Sequence, residues 1–279
     1  MKKLSCCITF DFDAISLWLG SFGSNDPSTL SRGEFGAVAV PRILALLKKY
    51  NISSAWCVPG HTALAYPNLI CQILDDGHEI VHHGWVHEGI AGLDRDSEKD
   101  MLEKGFDALK KVAGITPVGF RSPAWEFSSN TLSLLEEYGF LYDSSCMGHD
   151  SFPYYLRRGD KWSKTDAYHF GELSSIVEMP VTWGLDDFPA FEVCYGESPG
   201  YASPSNVLEI WQGDFDYALD NAPGGVFILT LHPQVIGRGH RMLMLEKLFQ
   251  HMTEKEGVTF ETMEVYARRW KAGNTDSPV

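Results

Sequence analysis

The feature that most constrains this chain is an alternation of short apolar stretches with helical patterns, in which polar residues gather just after the apolar stretches. Residues 3–12 read as a buried first strand, rich in β-branched and aromatic side chains. Residues 14–33 read as a long loop of Gly, Ser, Asn, Asp and Pro, and Pro41 opens a helix over 42–50. The rhythm repeats with a strand over 53–58, a turn at 59–61 and a helix over 67–76 closed by Gly77. A strand over 79–83 runs into the loop 84–89, and a helix over 98–112 follows, with Ser97 as N-cap and Gly114 past its end. A strand over 118–121, a loop over 122–127, a helix over 130–138 ended by Gly139 and a strand over 140–143 complete the first half.

Such alternation predicts an α/β chain built on a parallel sheet. No glycine-rich phosphate loop stands at the first strand–helix junction, which counts against a dinucleotide fold. Polar residues after several strand ends favour a barrel. From 144 to 222 the rhythm breaks into aromatic and proline-rich stretches, read as an insertion over that polar face. Order returns with a strand over 225–231, a helix over 241–254, a strand over 258–260 and a helix over 262–270, and the tail 272–279 is expected to fray. The 279 residues, 44% of them hydrophobic, suffice for one large core, so 1–279 is expected to form a single domain.

A formal net charge of -14 argues against nucleic acid or anionic lipid as a partner. No apolar run approaches the roughly 18–20 residues that span a bilayer, so no membrane association is expected. Asp11 and Asp13 interrupt the N-terminal apolar stretch before a signal-peptide core forms, which predicts a cytoplasmic protein. The six cysteines lack C-x-x-C spacing and read as free thiols.

Five groups carry chemistry. Asp11 and Asp13, two residues apart at a strand end, can reach one pocket. His83 and His87 have the H-x-x-x-H spacing that lets two imidazoles hold one metal. Imidazole plus carboxylate suits zinc and also accepts Co, Ni, Mn or Fe. Arg121-Ser122-Pro123 forms a strand-to-loop turn, Asp143 ends a strand, and His232 follows an apolar strand and is fixed by Pro233. Each signal alone is weak, since acidic strand ends, paired histidines and Asx-type caps are common without function.

Their order is the stronger signal. Together they resemble the polysaccharide deacetylase family, also called the NodB-homology or carbohydrate esterase 4 family, over residues 3–233. That family carries an acidic motif, H-x-x-x-H, R-x-P, an Asp-containing motif and Leu-x-His in this sequence, although Asp11-Phe12-Asp13 departs from its common contiguous Asp-Asp. Further stretches, including Pro59-Gly60-His61, Trp125-Glu126-Phe127-Ser128 and Trp183-x-x-Asp186-Asp187, look like a cytoplasmic branch. That branch includes cyclic imide hydrolases, an allantoinase and a helicobacter-type peptidoglycan deacetylase.

The resemblance implies a distorted (β/α)7-type barrel and hydrolysis of a non-peptide C–N bond. It implies one divalent metal, zinc first, on Asp13, His83 and His87, with Asp11 as general base and Arg121 pairing with it. His232 is implied as general acid, oriented by Asp143, and a backbone N–H within 122–125 as an oxyanion donor. Trp18, Trp85, Trp125, Trp183, Glu126 and Asp187 are expected near substrate. Aromatic loops and the expected cytoplasmic location favour ring opening of a small cyclic imide or amide. N-deacetylation of peptidoglycan or amino-sugar oligomers is the alternative, and a non-catalytic binding role on the same site the third. The branch also implies a homo-oligomer, dimer or tetramer.

Overall fold

The computed structural model describes residues 4–194 and 199–274, so the tail beyond 274 lies outside the described residues. The first strand, β1 (Leu4–Asp11), is buried at every position, as its apolar run requires of a central parallel strand. The stretch expected as a loop instead holds α1 (Ile15–Gly20) and the start of α2 (Pro27–Tyr50). Asp26 explains that early start: its carboxylate accepts from the Thr29 N–H at 2.8 Å, with Pro27 in the first turn. Pro41 therefore lies inside the helix rather than at its head. The small residues that read as loop are a close contact, since a Cβ on Gly33 would lie 2.4 Å from the Ala14 carbonyl oxygen.

The chain continues through β2 (Ser54–Val58), α3 (Gly60–Ala65), α4 (Pro67–Asp75) and β3 (Glu79–His82). Next come α5 (Arg95–Ala113), β4 (Gly119–Phe120), α6 (Thr131–Glu137) and β5 (Tyr142–Asp143). Asp94, not Ser97, caps α5: its side chain accepts from the Ser97 N–H at 2.9 Å, which moves the start three residues earlier. The segment expected as an insertion contains β6 (Tyr154–Arg158), β7 (Glu172–Glu178), α7 (Asp187–Phe191) and α8 (Pro204–Asn221). The chain ends with β8 (Val226–Leu231), α9 (Pro233–Ile236), α10 (Gly239–Thr253), β9 (Val258–Phe260) and α11 (Met263–Gly273).

The strands form one sheet in the order β6-β7-β5-β4-β3-β2-β1-β8, curled as a half-barrel. Every pairing is parallel except β6 with β7. β9 pairs with Leu4–Cys6 of β1, below the point where β2 begins its own pairing at Ile8. Helices cover the sheet, with Ile43, Leu47, Trp56, Phe215, Leu245 and Phe249 in the largest apolar cluster. The polar strand ends Asp11, His82 and Asp143 lie together at one rim because the strands run parallel in register. Cys6, Cys7, Cys57, Cys71 and Cys146 carry free thiols, and among the described residues no helix is long and apolar enough to cross a membrane.

Candidate active site

Asp13 sits two residues beyond the pairing of β1, fully buried, and neither carboxylate oxygen has a hydrogen-bond partner. An unpartnered buried carboxylate is costly unless a cation neutralises it. The groups facing it are imidazoles: Nε2 of His83 is 3.4 Å from Oδ1, and Nε2 of His87 is 3.7 Å from Oδ2. His83 follows β3, and Gly84 at φ +71° turns the chain so that His87, at φ +60°, returns to the same point.

The two rings are held in the form a metal needs. Nδ1–H of His83 donates to the Arg121 carbonyl at 2.7 Å. The Ser21 hydroxyl donates to the His87 carbonyl at 2.9 Å, so its oxygen accepts from Nδ1–H of His87 at 2.6 Å. Both Nε2 lone pairs are thus free and aimed at Asp13. Burial, outweighing the attraction of Asp13, pushes His87 down to about 4 and keeps it neutral. Asp13, His83 and His87 offer three ligand atoms within 4.8 Å of one another, a donor set that fits one divalent metal with positions left open.

Asp11 stands beside this triad and pairs with buried Arg121, whose Nη1 donates to Oδ1 at 2.7 Å and to the Thr9 hydroxyl at 2.8 Å. Burial pushes the Asp11 carboxyl up, but Arg121, with His83 and His232, outweighs it and holds the group at about 2. Arg121 is fixed in turn by donating from Nε to the Ser144 carbonyl and from Nη2 to the Ser144 hydroxyl.

His232 follows β8, with Nε2 3.7 Å from Oδ2 of Asp13. Its orienting partner differs from the one expected. Nδ1–H donates at 2.7 Å to Oδ1 of Asp187, which also accepts from the His232 backbone N–H at 3.0 Å. Asp143 instead accepts from the Ser145 hydroxyl and faces Glu178, because β5 places it on the Arg121 side of the rim. Burial opposes charge on His232, yet Asp186, Asp187 and Asp13 outweigh it and hold the imidazole well above its usual pKa.

These groups open onto a cavity of about 460 Å³, in the range of small-ligand sites. Asp11, His87 and His232 form its floor, and Trp125, Trp183, Glu126 and Phe188 its walls. The Trp125 and Trp183 rings lie 4.2 Å apart between centroids. Trp125 and its neighbour Ala124 adopt positive φ, a strained backbone that aims this wall inward. Three expected lining residues stand elsewhere. Trp18 is buried beneath the rim, with Arg32 over its ring at 4.0 Å. Trp85 packs edge-on against His61. Asp187 is buried behind His232. Ser21 and Phe22, which sequence reasoning did not select, do line the cavity, as does Asp186 of the Trp183-x-x-Asp186-Asp187 stretch.

A family model described as polysaccharide deacetylase matches residues 28–142. The chain is 37% identical over 282 residues to a peptidoglycan deacetylase of Helicobacter pylori, covering 95% of this chain and 96% of that protein. A crystal structure of a putative polysaccharide deacetylase from Mycobacterium smegmatis superposes with a TM-score of 0.86 at 35% identity, covering 99% of this chain and 93% of that one. An allantoinase superposes with a TM-score of 0.81 at 21% identity, covering 99% and 93%, a likeness of fold.

Proposed function

Because this chain belongs to the polysaccharide deacetylase family, hydrolases of C–N bonds other than peptide bonds, we propose that it removes the acetyl group from an N-acetylated amino sugar of the peptidoglycan type. In that reaction water adds to the amide carbonyl, the C–N bond breaks, and acetate and a free amine leave. The observation that carries the reading is the buried, unpartnered Asp13 carboxylate facing two imidazole lone pairs.

Asp13, His83 and His87 would hold one divalent metal, which when bound polarises the carbonyl and acidifies water. Asp11, kept ionised by Arg121, takes the proton from the attacking water. His232 gives a proton from Nε2 to the departing nitrogen, since an amide anion leaves poorly without one, and Asp187 fixes the tautomer that puts this proton there or removes it. In the turn after β4, the Ser122 N–H donates to Ser145 and that of Trp125 to the Ser122 carbonyl. The Ala124 N–H is the remaining donor for the developing oxyanion.

A second reading, opening of a small cyclic amide, is favoured by the cavity's limited volume and its Trp125–Trp183 wall, which suits a flat ring. One screen separates the two. Zinc- or cobalt-loaded protein is incubated with chitooligosaccharides, peptidoglycan fragments, succinimide, hydantoin and allantoin. Acetate release from the sugars is expected, and turnover of the cyclic amides alone would replace the first reading with the second. His83→Ala and His87→Ala are each expected to lose bound metal and activity together. Full activity in chelator-treated, metal-free protein would remove the metal from the mechanism.

A further inference from the structure

A second pair of buried carboxyls lies behind Arg121, outside the cavity. Asp143 and Glu178 are Cα partners on the neighbouring parallel strands β5 and β7, and both side chains are fully buried. Each commits one oxygen to the turn that follows β5. Oδ1 of Asp143 accepts from the Ser145 hydroxyl at 2.9 Å. Oε1 of Glu178 accepts from the Ser145 N–H at 2.9 Å and the Cys146 N–H at 2.8 Å. The other two oxygens, Oδ2 and Oε2, are buried without any further partner.

Two full negative charges so placed would be strongly unfavourable in a dry interior. We infer that Asp143 and Glu178 share a single proton, and that this bonded pair is the positioning device which sets Arg121 and, through it, Asp11. Burial raises both carboxyls above the ordinary range, Asp143 to about 6 and Glu178 further, and one proton between the two unpartnered oxygens relieves both. The charged and titratable groups facing the pair are Arg121, the Cys146 thiol and the Tyr154 hydroxyl, and burial holds the last two neutral.

The link to the site is continuous. Arg121 makes two of its hydrogen bonds to Ser144, at 3.0 and 2.8 Å, and the Ser122 N–H donates to the Ser145 hydroxyl at 2.9 Å. The serine turn is therefore gripped on one side by the carboxyl pair and on the other grips the arginine. Shifting that turn displaces the Arg121 guanidinium against the Asp11 carboxylate, and misplacements of about an ångström in a site cost about 10²-fold in rate.

The inference rests on the deacetylase reading for Asp11's role, but the shared proton has its own readout. Metal-loaded full-length protein is compared with Glu178→Gln and Glu178→Ala. The amide of Glu178→Gln accepts from both N–H groups and donates to Asp143, so most of the activity should survive. Glu178→Ala leaves Asp143 charged and alone, so kcat should fall about 10- to 100-fold with KM and bound metal unchanged. Infrared difference spectra of wild type against Glu178→Gln should show loss of a protonated-carboxyl C=O band. Equal loss of kcat in both variants, or no such band, overturns the inference. So does a second metal equivalent per chain that disappears in Glu178→Gln, which would mean a cation joins the carboxyls. If no substrate is turned over by wild type, the deacetylase reading fails, and the infrared result still decides whether the proton is shared.

Discussion

Replacing Arg121 by methionine isolates the largest electrostatic debt in the site. Arg121 and Asp11 are both buried, and their 2.7 Å contact is the largest of the attractions, with His83 and His232 adding to it, that hold Asp11 at about 2, against an ordinary value of 3.8. That depression corresponds to roughly 2–3 kcal/mol of preference for the folded, ionised form. Removing one member of a buried pair typically costs about 3–5 kcal/mol, because the survivor remains buried and unpaired. The sign follows from linkage. In wild type this contribution is fully present above 3.8 and is lost as the pH falls through 2. In the variant, burial acts on Asp11 without Arg121, so its folded pKa rises above the ordinary value and acid now favours the fold. The difference in unfolding free energy, measured by urea titration of chelator-treated protein, should therefore be largest near neutrality and shrink below about pH 4. A difference under about 1 kcal/mol at pH 7, or one that does not change with pH, would refute the account of Asp11 as a charge held ionised by Arg121.

Two other substitutions test neighbouring parts of the molecule. Asp187→Asn places an amide where His232 needs an acceptor for Nδ1–H and should lower kcat about 10²- to 10⁴-fold with little change in KM; steady-state kinetics showing an unaltered kcat would exclude Asp187 as the orienting group. Glu79 lies at the start of β3, where burial pushes it up to about 7 although the Tyr142 hydroxyl and the Glu264 N–H donate to it. A carboxyl raised this way contributes stability that is present below about 4.5 and lost as the pH rises through 7, about 3 kcal/mol in all. Glu79→Gln keeps the neutral geometry and should flatten that part of the pH–stability curve, and parallel curves for the two proteins would contradict it.

Much of the candidate site's placement was legible because its proposed groups stand at the ends of four strands, β1, β3, β4 and β8, and strand ends are read from local pattern. Asp11, Asp13, His83, His87, Arg121 and His232 all converge on one rim for that reason. What escaped was pairing between loops. Asp187 and His232 are 45 residues apart and are joined by the docking of α7 against α9 and the end of β8, so the strand-terminal Asp143 looked like the better partner. Glu178 ends β7 directly after Ile176 and Val177, and that lone carboxylate in Ser-Ile-Val-Glu-Met-Pro was the available signal for its burial. Trp18 and Trp85 show the limit of composition, since an aromatic in a rim segment can as readily support the rim as face the ligand.

The place of β1 has a consequence for how the chain acquires its shape. Its upper residues pair on one flank with β2, some 46 positions on at Ile8–Ser54, and on the other with β8, more than 220 positions later at Ser5–Val226. During synthesis that second flank stays open until more than 220 further residues have emerged, and it is an apolar strand edge of the kind that recruits other chains. His232 arrives with the same strand that closes it. The proposed proton donor and protection from aggregation therefore arrive in a single late step, and a truncation before residue 226 forfeits both.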